Sequence, residues 1–214
     1  MSQPLCRLIV WRHGNTDWNA DNRVQGQTDV PLNELGRQQA VDAAELLRRM
    51  RPTAIIASDL RRAADTAAVL GALTGLSVHH DPRLRERSFG VWEGLLMSEV
   101  AATRPEEYAR WTAGADVIGG DVETLDDLGK RVVDALRDAA EVVGPGGTAV
   151  VASHGAAARQ GIGHLLGWPS AQLRTLRALQ NCHWVELTHD TQRGWQLAAY
   201  NVGVFSDRPV PPPV

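Results

Sequence analysis

Apolar residues along this chain fall into short solid runs and longer periodic ones. Leu8-Ile9-Val10-Trp11, Ala54-Ile55-Ile56-Ala57 and Thr148 to Ser153 are nearly uninterrupted, the pattern of strands buried on both faces. Leu76 to His80 is a weaker strand, and Trp184 to Leu187 and Gln196 to Tyr200 are expected to complete a sheet edge. Between them run helical periods. From Asn33 to Met50, Leu35, Ala40, Ala43, Ala44, Leu47 and Met50 share one face, with Asn33 as N-cap and Pro52 just past the end. Ser58 is expected to cap a helix reaching about Thr74, stopped by Gly75. Met97 to Thr112 reads as helix interrupted by Pro105. Thr124 opens a regular period through Leu128, Val132, Leu136 and Val143 that ends at Gly144-Pro145-Gly146-Gly147, and Ala156 to Leu166 is a further helix. Arg12 to Pro31 is polar and contains Asn and Gly, as a long functional loop would.

Strands alternating with helices predict an α/β fold, a three-layer helix-sheet-helix sandwich around a mostly parallel sheet, with ligands at the carboxyl ends of the strands. No repeat or Pro/Ser linker divides the 214 residues, so residues 1–214 read as one domain, with a Pro-rich, frayed tail over 206–214. Composition then narrows the function. The formal net charge of −3 argues against a general nucleic-acid footprint. The longest apolar candidate, Leu5 to Trp11, is broken by Arg7, far short of the ~18 residues of a membrane span. With no signal-peptide pattern and only Cys6 and Cys182 as cysteines, the expectation is a soluble, reduced, cytoplasmic protein without a membrane partner.

Two of the solid runs end in the same step. Arg12-His13-Gly14 follows the first strand and Ser153-His154-Gly155 the fourth, each a histidine at a strand end followed by glycine. A third strand leads through Ser58 to Arg62. A lone histidine at a strand end is ordinarily a hydrogen-bonded structural residue, and a lone arginine a surface ion pair. Four such groups at neighbouring strand ends would instead form a cationic pocket for a dianion, with helix N-termini adding dipoles of the right sign. His79-His80 beside Asp81 does not read as a metal site, because adjacent strand residues point to opposite faces. His164, His183 and His189 have no partner motif.

The segments Arg12-His13-Gly14-Asn15-Thr16-Asp17-Trp18-Asn19, Gln25-Gly26, Ser58 to Ala67, Leu84-Arg85-Glu86 and Ser153-His154-Gly155 together resemble the histidine phosphatase superfamily, in its phosphoglycerate mutase-like branch. The resemblance implies a phosphohistidine nucleophile at His13 and phosphoryl binding by Arg12, Arg62 and His154. It further implies a side-chain donor at Asn19, a pocket rim at Gln25 and Gly26, close backbone approach at Gly155, and a general acid/base at Glu86. The two arginines would keep His13 neutral, since like charge disfavours the imidazolium. A carboxyl beside a bound phosphate dianion retains its proton more readily, which suits protonation of a leaving alkoxide. Read without the motif, Glu86 among Arg83, Arg85 and Arg87 is a surface ion pair. No metal and no cofactor are implied.

The same resemblance makes residues 95–122, about Met97 to Asp121, a small helical cap that selects substrates, with Trp111 inside it and Trp18 and Trp92 lining the pocket. Trp168, Trp184 and Trp195 read as core or edge packing. Gly90-Val91-Trp92-Glu93-Gly94 looks like the phosphatase side of the family. A mutase would carry more cap arginines than Arg104 and Arg110. Gly119-Gly120-Asp121-Val122-Glu123-Thr124 departs from the family's Gly-Gly-Glu-Ser by two added residues, though Arg131 still follows. Arg23 to Asp29 is similar to phosphatases acting on glucosyl-3-phosphoglycerate, implying a sugar or glycerate phosphate as substrate. Three readings follow: a metal-independent phosphomonoesterase, a phosphoglycerate mutase and a non-catalytic phospholigand-binding domain. A homodimer is the family's expectation.

Overall fold

The computed structural model describes residues 6–204, so the Pro-rich tail lies outside the described residues. Strand β1 (Cys6–Arg12) is followed by a short helix α1 (Asp17–Ala20), then α2 (Glu34–Leu47), β2 (Ala54–Ala57), α3 (Arg61–Thr74) and β3 (Val78–His80). Helices α4 (Met97–Thr103) and α5 (Pro105–Thr112) form the cap. The chain continues through α6 (Leu125–Val143), β4 (Thr148–Ser153), α7 (Gly155–Leu166), α8 (Ser170–Leu173), β5 (Trp184–Asp190) and β6 (Gly194–Val202).

The sheet order is β3-β2-β4-β1-β5-β6, parallel from β3 to β1 and antiparallel at β5 and β6. Alternation along the strands divides the core. Leu8, Val10, Val151, Val185 and Leu187 pack under α6 and α7, whereas Ile9, Trp11, Ile55, Val150 and Trp184 pack under α2 and α3. Both faces of β1 and β4 are covered, which is why their sequence reads as solid apolar runs. Register then fixes the active end of the sheet. Arg12 pairs with Ser153 and Ala57 with Ala152, so the strand ends preceding His13, Ser58 and His154 lie side by side.

Local signals placed most boundaries. Asn33 caps α2 through Gly36 N, Thr124 caps α6 through Asp127 N, and Pro105 splits the cap into two helices at its N1 position. Ser58 does not cap α3. Leu60 occupies that position, and the Ser58 hydroxyl instead accepts from Leu60 N and meets His154 Nε2 at 2.9 Å. The cap has its own core of Val24, Trp92, Val100, Ile118 and Val122. Trp92 is therefore packing, not pocket lining: it is fully buried and its indole N–H donates to Glu107.

Candidate active site

A cavity of about 150 Å³ opens at the carboxyl end of the sheet, lined among others by Arg12, His13, Asn19, Gln25, Gly26, Arg62 and Glu86. Its floor is His13, held by β4 on one side and by the turn that precedes β5 on the other. His13 N donates to Ser153 O, and Asn181 donates from its side chain to His13 O. His13 Nδ1 lies 2.7 Å from Gly14 O. A carbonyl only accepts, so the proton sits on Nδ1 and Nε2 keeps its lone pair. Burial holds His13 well below the usual imidazole range, and the Arg62 and Arg12 charges push in the same direction. His13 is a neutral imidazole with one committed nitrogen and one basic nitrogen.

His154 lies beside it, ring centroids 5.1 Å apart, and is likewise held neutral by burial first and then by Arg62. Ser58 Oγ accepts from Leu60 N and has its own proton to donate, which we assign to His154 Nε2. That places the histidine's proton on Nδ1, which is buried and has no protein partner among the described residues. Arg12 Nε and Arg62 Nε are buried and unpartnered in the same way. Arg62 is completely buried, its two terminal nitrogens donating to Thr28 O and Gly26 O. Burial pushes its pKa down to about 10 while Glu86 opposes the shift, so it remains a cation. Buried donors rarely go unmatched. Arg12 and Arg62 line the cavity, His154 lies against His13 without lining it, and the three donors together fit an anion with several oxygens.

Glu86 is not the surface ion pair that its neighbours suggest. Arg83 binds Asp81 and Asp138, Arg85 binds Asp59, and Arg87 donates to Glu123 O and Asp116 O. Glu86 instead accepts from the start of α7: Oε1 from Ala157 N and Arg87 N, Oε2 from Ala156 N. Oε1 has both lone pairs engaged, leaving Oε2 with one free for a proton. The backbone of this segment is carried by Arg131, which donates to Arg83 O, Arg85 O and Glu86 O and forms a paired contact with Glu123. The lengthened Gly119 to Thr124 segment thus still delivers Glu123 to Arg131.

Asn19 faces the cavity with its amide nitrogen available, because its Oδ1 accepts from Thr16 N and Asn181 Nδ2. Gly26 has φ +51°, and a Cβ there would overlap the Glu93 carboxylate. Glu93 accepts from Gln27 N, Phe89 N and the Thr28 hydroxyl, bracing the loop that anchors Arg62. Gly155 opens α7 against Arg12 and does not line the cavity; a Cβ there would lie 3.6 Å from Arg12 Nε. Of the cap helices only Met97 reaches the cavity, which takes its rim from Asn22, Arg23 and Val24. Trp111 packs on Tyr108 in the cap core, and Trp18 sits behind the rim with the Arg23 guanidinium over its ring.

Residue patterns alone did not single out Thr66, which accepts from Gly14 N, or Asn181, which has no helical or strand period to mark it. Among the described residues there is no cluster of three or more His, Cys, Asp or Glu placed to hold a metal, and no helix long and apolar enough to cross a membrane.

A family model described as histidine phosphatase superfamily (branch 1) matches residues 8–203. Glucosyl-3-phosphoglycerate phosphatase of Mycobacterium tuberculosis is 37% identical over 91% of this chain and 94% of its own length. A probable phosphoglycerate mutase of Yersinia pestis is 39% identical over 83% of this chain and 82% of its own. The solved structure of a mycobacterial glucosyl-3-phosphoglycerate phosphatase in complex with VO3 is similar with TM-score 0.85 at 37% identity, covering 92% of this chain and 99% of that one. The match spans every strand of the sheet and all the segments that meet at the cavity, and the chain belongs to the histidine phosphatase superfamily.

Proposed function

We propose that this protein is a metal-independent phosphomonoesterase that passes a phosphoryl group through His13. The observation that carries the reading is the His13 ring: neutral, its proton fixed on Nδ1, and its Nε2 free beside Arg12 and Arg62 in the cavity that Glu86 also lines. In the first step Nε2 attacks phosphorus, the ester P–O bond breaks, and Glu86 Oε2 gives its proton to the departing oxygen. In the second, Glu86 takes a proton from water, the water oxygen attacks phosphorus, and the P–N bond breaks to release phosphate. Arg12, Arg62, His154 Nδ1 and the Asn19 amide hold the non-bridging oxygens throughout, the positioning and charge neutralisation that phosphoryl transfer chiefly requires.

The substrate is a small phosphorylated metabolite of the sugar-phosphate or phosphoglycerate type, a reading supported by the glucosyl-3-phosphoglycerate phosphatase relatives. The Yersinia relative's name raises mutase activity as a second reading. Against it, Arg104 contacts Glu107 and Arg110 donates to Ile118 O, so neither cap arginine lines the cavity. As parts of the same proposal, the chain acts as one domain in the cytoplasm and as a homodimer, the last checked by light scattering.

His13→Ala should abolish turnover of an aryl phosphate, and full retention of activity would refute the mechanism. Comparing phosphate release with isomer formation from 3-phosphoglycerate, with and without a bisphosphate primer, separates phosphatase from mutase.

A further inference from the structure

The cavity has a third cation that the phosphoryl chemistry does not use. Arg23 lines its rim, on the short segment Asn22-Arg23-Val24. This segment is stitched to the chain opposite: Val24 N donates to Leu95 O, Gly94 N to Val24 O and Met97 N to Asn22 O, and Arg23 bridges Leu96 in β fashion. Asn22 adopts φ +54°, a left-handed conformation that asparagine tolerates better than most residues. The Arg23 side chain is fixed as well. Its guanidinium lies over Trp18, 5.9 Å from the ring centroid, and one terminal nitrogen donates to Gly94 O. It has no carboxylate partner among the described residues, and its remaining N–H groups have no protein acceptor there. A long cation is thus held still, at the cost of its side-chain entropy, without a counter-charge.

Charge counting shows what it awaits. Arg12, Arg23 and Arg62 bring three positive charges to the cavity, and Glu86 is the one carboxylate lining it. A phosphomonoester dianion matches Arg12 and Arg62. When Glu86 carries the proton that the leaving oxygen requires, Arg23 is left unmatched. A second anionic group on the substrate would complete the balance, and an arginine fork recognises a carboxylate through two parallel hydrogen bonds.

We propose that Arg23 is a specificity residue that binds a carboxylate on the leaving-group side of the substrate, so that the enzyme selects phosphomonoesters of small carboxylic acids. The inference rests on the phosphatase reading above and adds the residue that discriminates within it. It also moves the choice of substrate from the cap helices to the rim segment.

The test compares kcat/KM for 3-phosphoglycerate with that for glycerol 3-phosphate, which has no carboxylate, in wild type, Arg23→Gln and Arg23→Lys, with an aryl phosphate as a third substrate. Wild type should prefer the carboxylated ester by at least about tenfold, the discrimination expected of one charge-assisted hydrogen-bonded contact. Arg23→Gln should collapse that ratio, mainly through KM for 3-phosphoglycerate, and Arg23→Lys should retain part of it. Equal rates on the two esters in wild type, or an unchanged ratio in Arg23→Gln, would overturn the proposal. So would a uniform fall on all three substrates in both variants with lowered melting points, which would make Arg23 a structural brace of the rim. Absence of hydrolysis of every substrate by wild type would instead overturn the phosphatase reading itself.

Discussion

Replacing Gly26 by alanine tests how the loop and the cavity are coupled. Gly26 has φ +51°, where an L side chain costs about 1–2 kcal/mol. The new Cβ would fall 2.7 Å from Glu93 Cγ and nearer still to the carboxylate, so Glu93 must move. Glu93 accepts three hydrogen bonds, from Gln27 N at 3.0 Å, Phe89 N at 3.0 Å and Thr28 Oγ1 at 2.8 Å. Loss of two of these at about 1 kcal/mol each brings the expected cost to about 3–4 kcal/mol. For a chain of this size that lowers the melting temperature by roughly 10 °C. Activity should fall further than stability alone requires, because Gly26 O anchors Arg62 Nη2 at 2.7 Å and a displaced guanidinium no longer fits the phosphoryl oxygens. The assay is urea denaturation together with aryl phosphate kinetics, in wild type, Gly26→Ala, Glu93→Ala and the double variant. With Glu93 truncated the overlap disappears, and Gly26→Ala should then cost only the backbone term of about 1–2 kcal/mol, a coupling of about 2 kcal/mol. An equal cost of Gly26→Ala in both backgrounds would refute the reasoning.

Other expectations concern titration and positioning. His13 and His154 are held neutral in the fold, so below about pH 6.5 the unfolded chain binds protons that the folded chain does not, and stability falls as pH drops. The slope should approach 1.4 kcal/mol per pH unit for each histidine, about half of it lost in His13→Asn. Denaturation curves between pH 7 and pH 5 that do not shift would contradict this assignment. The clamp of Arg131 on the Glu86 segment predicts that Glu123→Gln lowers kcat by tenfold or more on an alkyl phosphate and much less on p-nitrophenyl phosphate, whose leaving group needs little proton assistance. Comparable losses on the two substrates would show that the clamp serves folding and not the acid.

Short-range physics was legible along the chain. The solid runs Leu8 to Trp11 and Thr148 to Ser153 are strands because helices cover both of their faces, and Asn33 and Thr124 cap helices because their oxygens satisfy amides three residues on. The short helices α1 and α8 escaped, being four residues each and too short to show a period. Ser58 was misread as a cap because a hydroxyl near a helix start is ambiguous until its real partner, His154 from a distant strand, is in place. Trp92 was misassigned for a similar reason: an indole suits a pocket wall or a core, and only the packing of the cap chose the core.

The sequence by itself determined the strand–helix alternation and, through short motifs whose residue types suit phosphoryl chemistry, the candidates His13, Arg12, Arg62, Glu86 and His154. Only the tertiary structure decided how these groups work together. The register of β1 against β4 sets His13 beside His154, and a carbonyl one residue on fixes which nitrogen of His13 is basic. Glu86 is separated from its flanking arginines because each of them finds another partner, and the cavity rim takes its cation, Arg23, from the segment before the cap, the cap helices contributing only Met97. Apart from the adjacent Gly14 carbonyl and the Asp81 partner of Arg83, these are contacts between residues tens of positions apart. Local pattern constrains backbone conformation, whereas hydrogen-bond partners and desolvation are fixed only once the chain is packed.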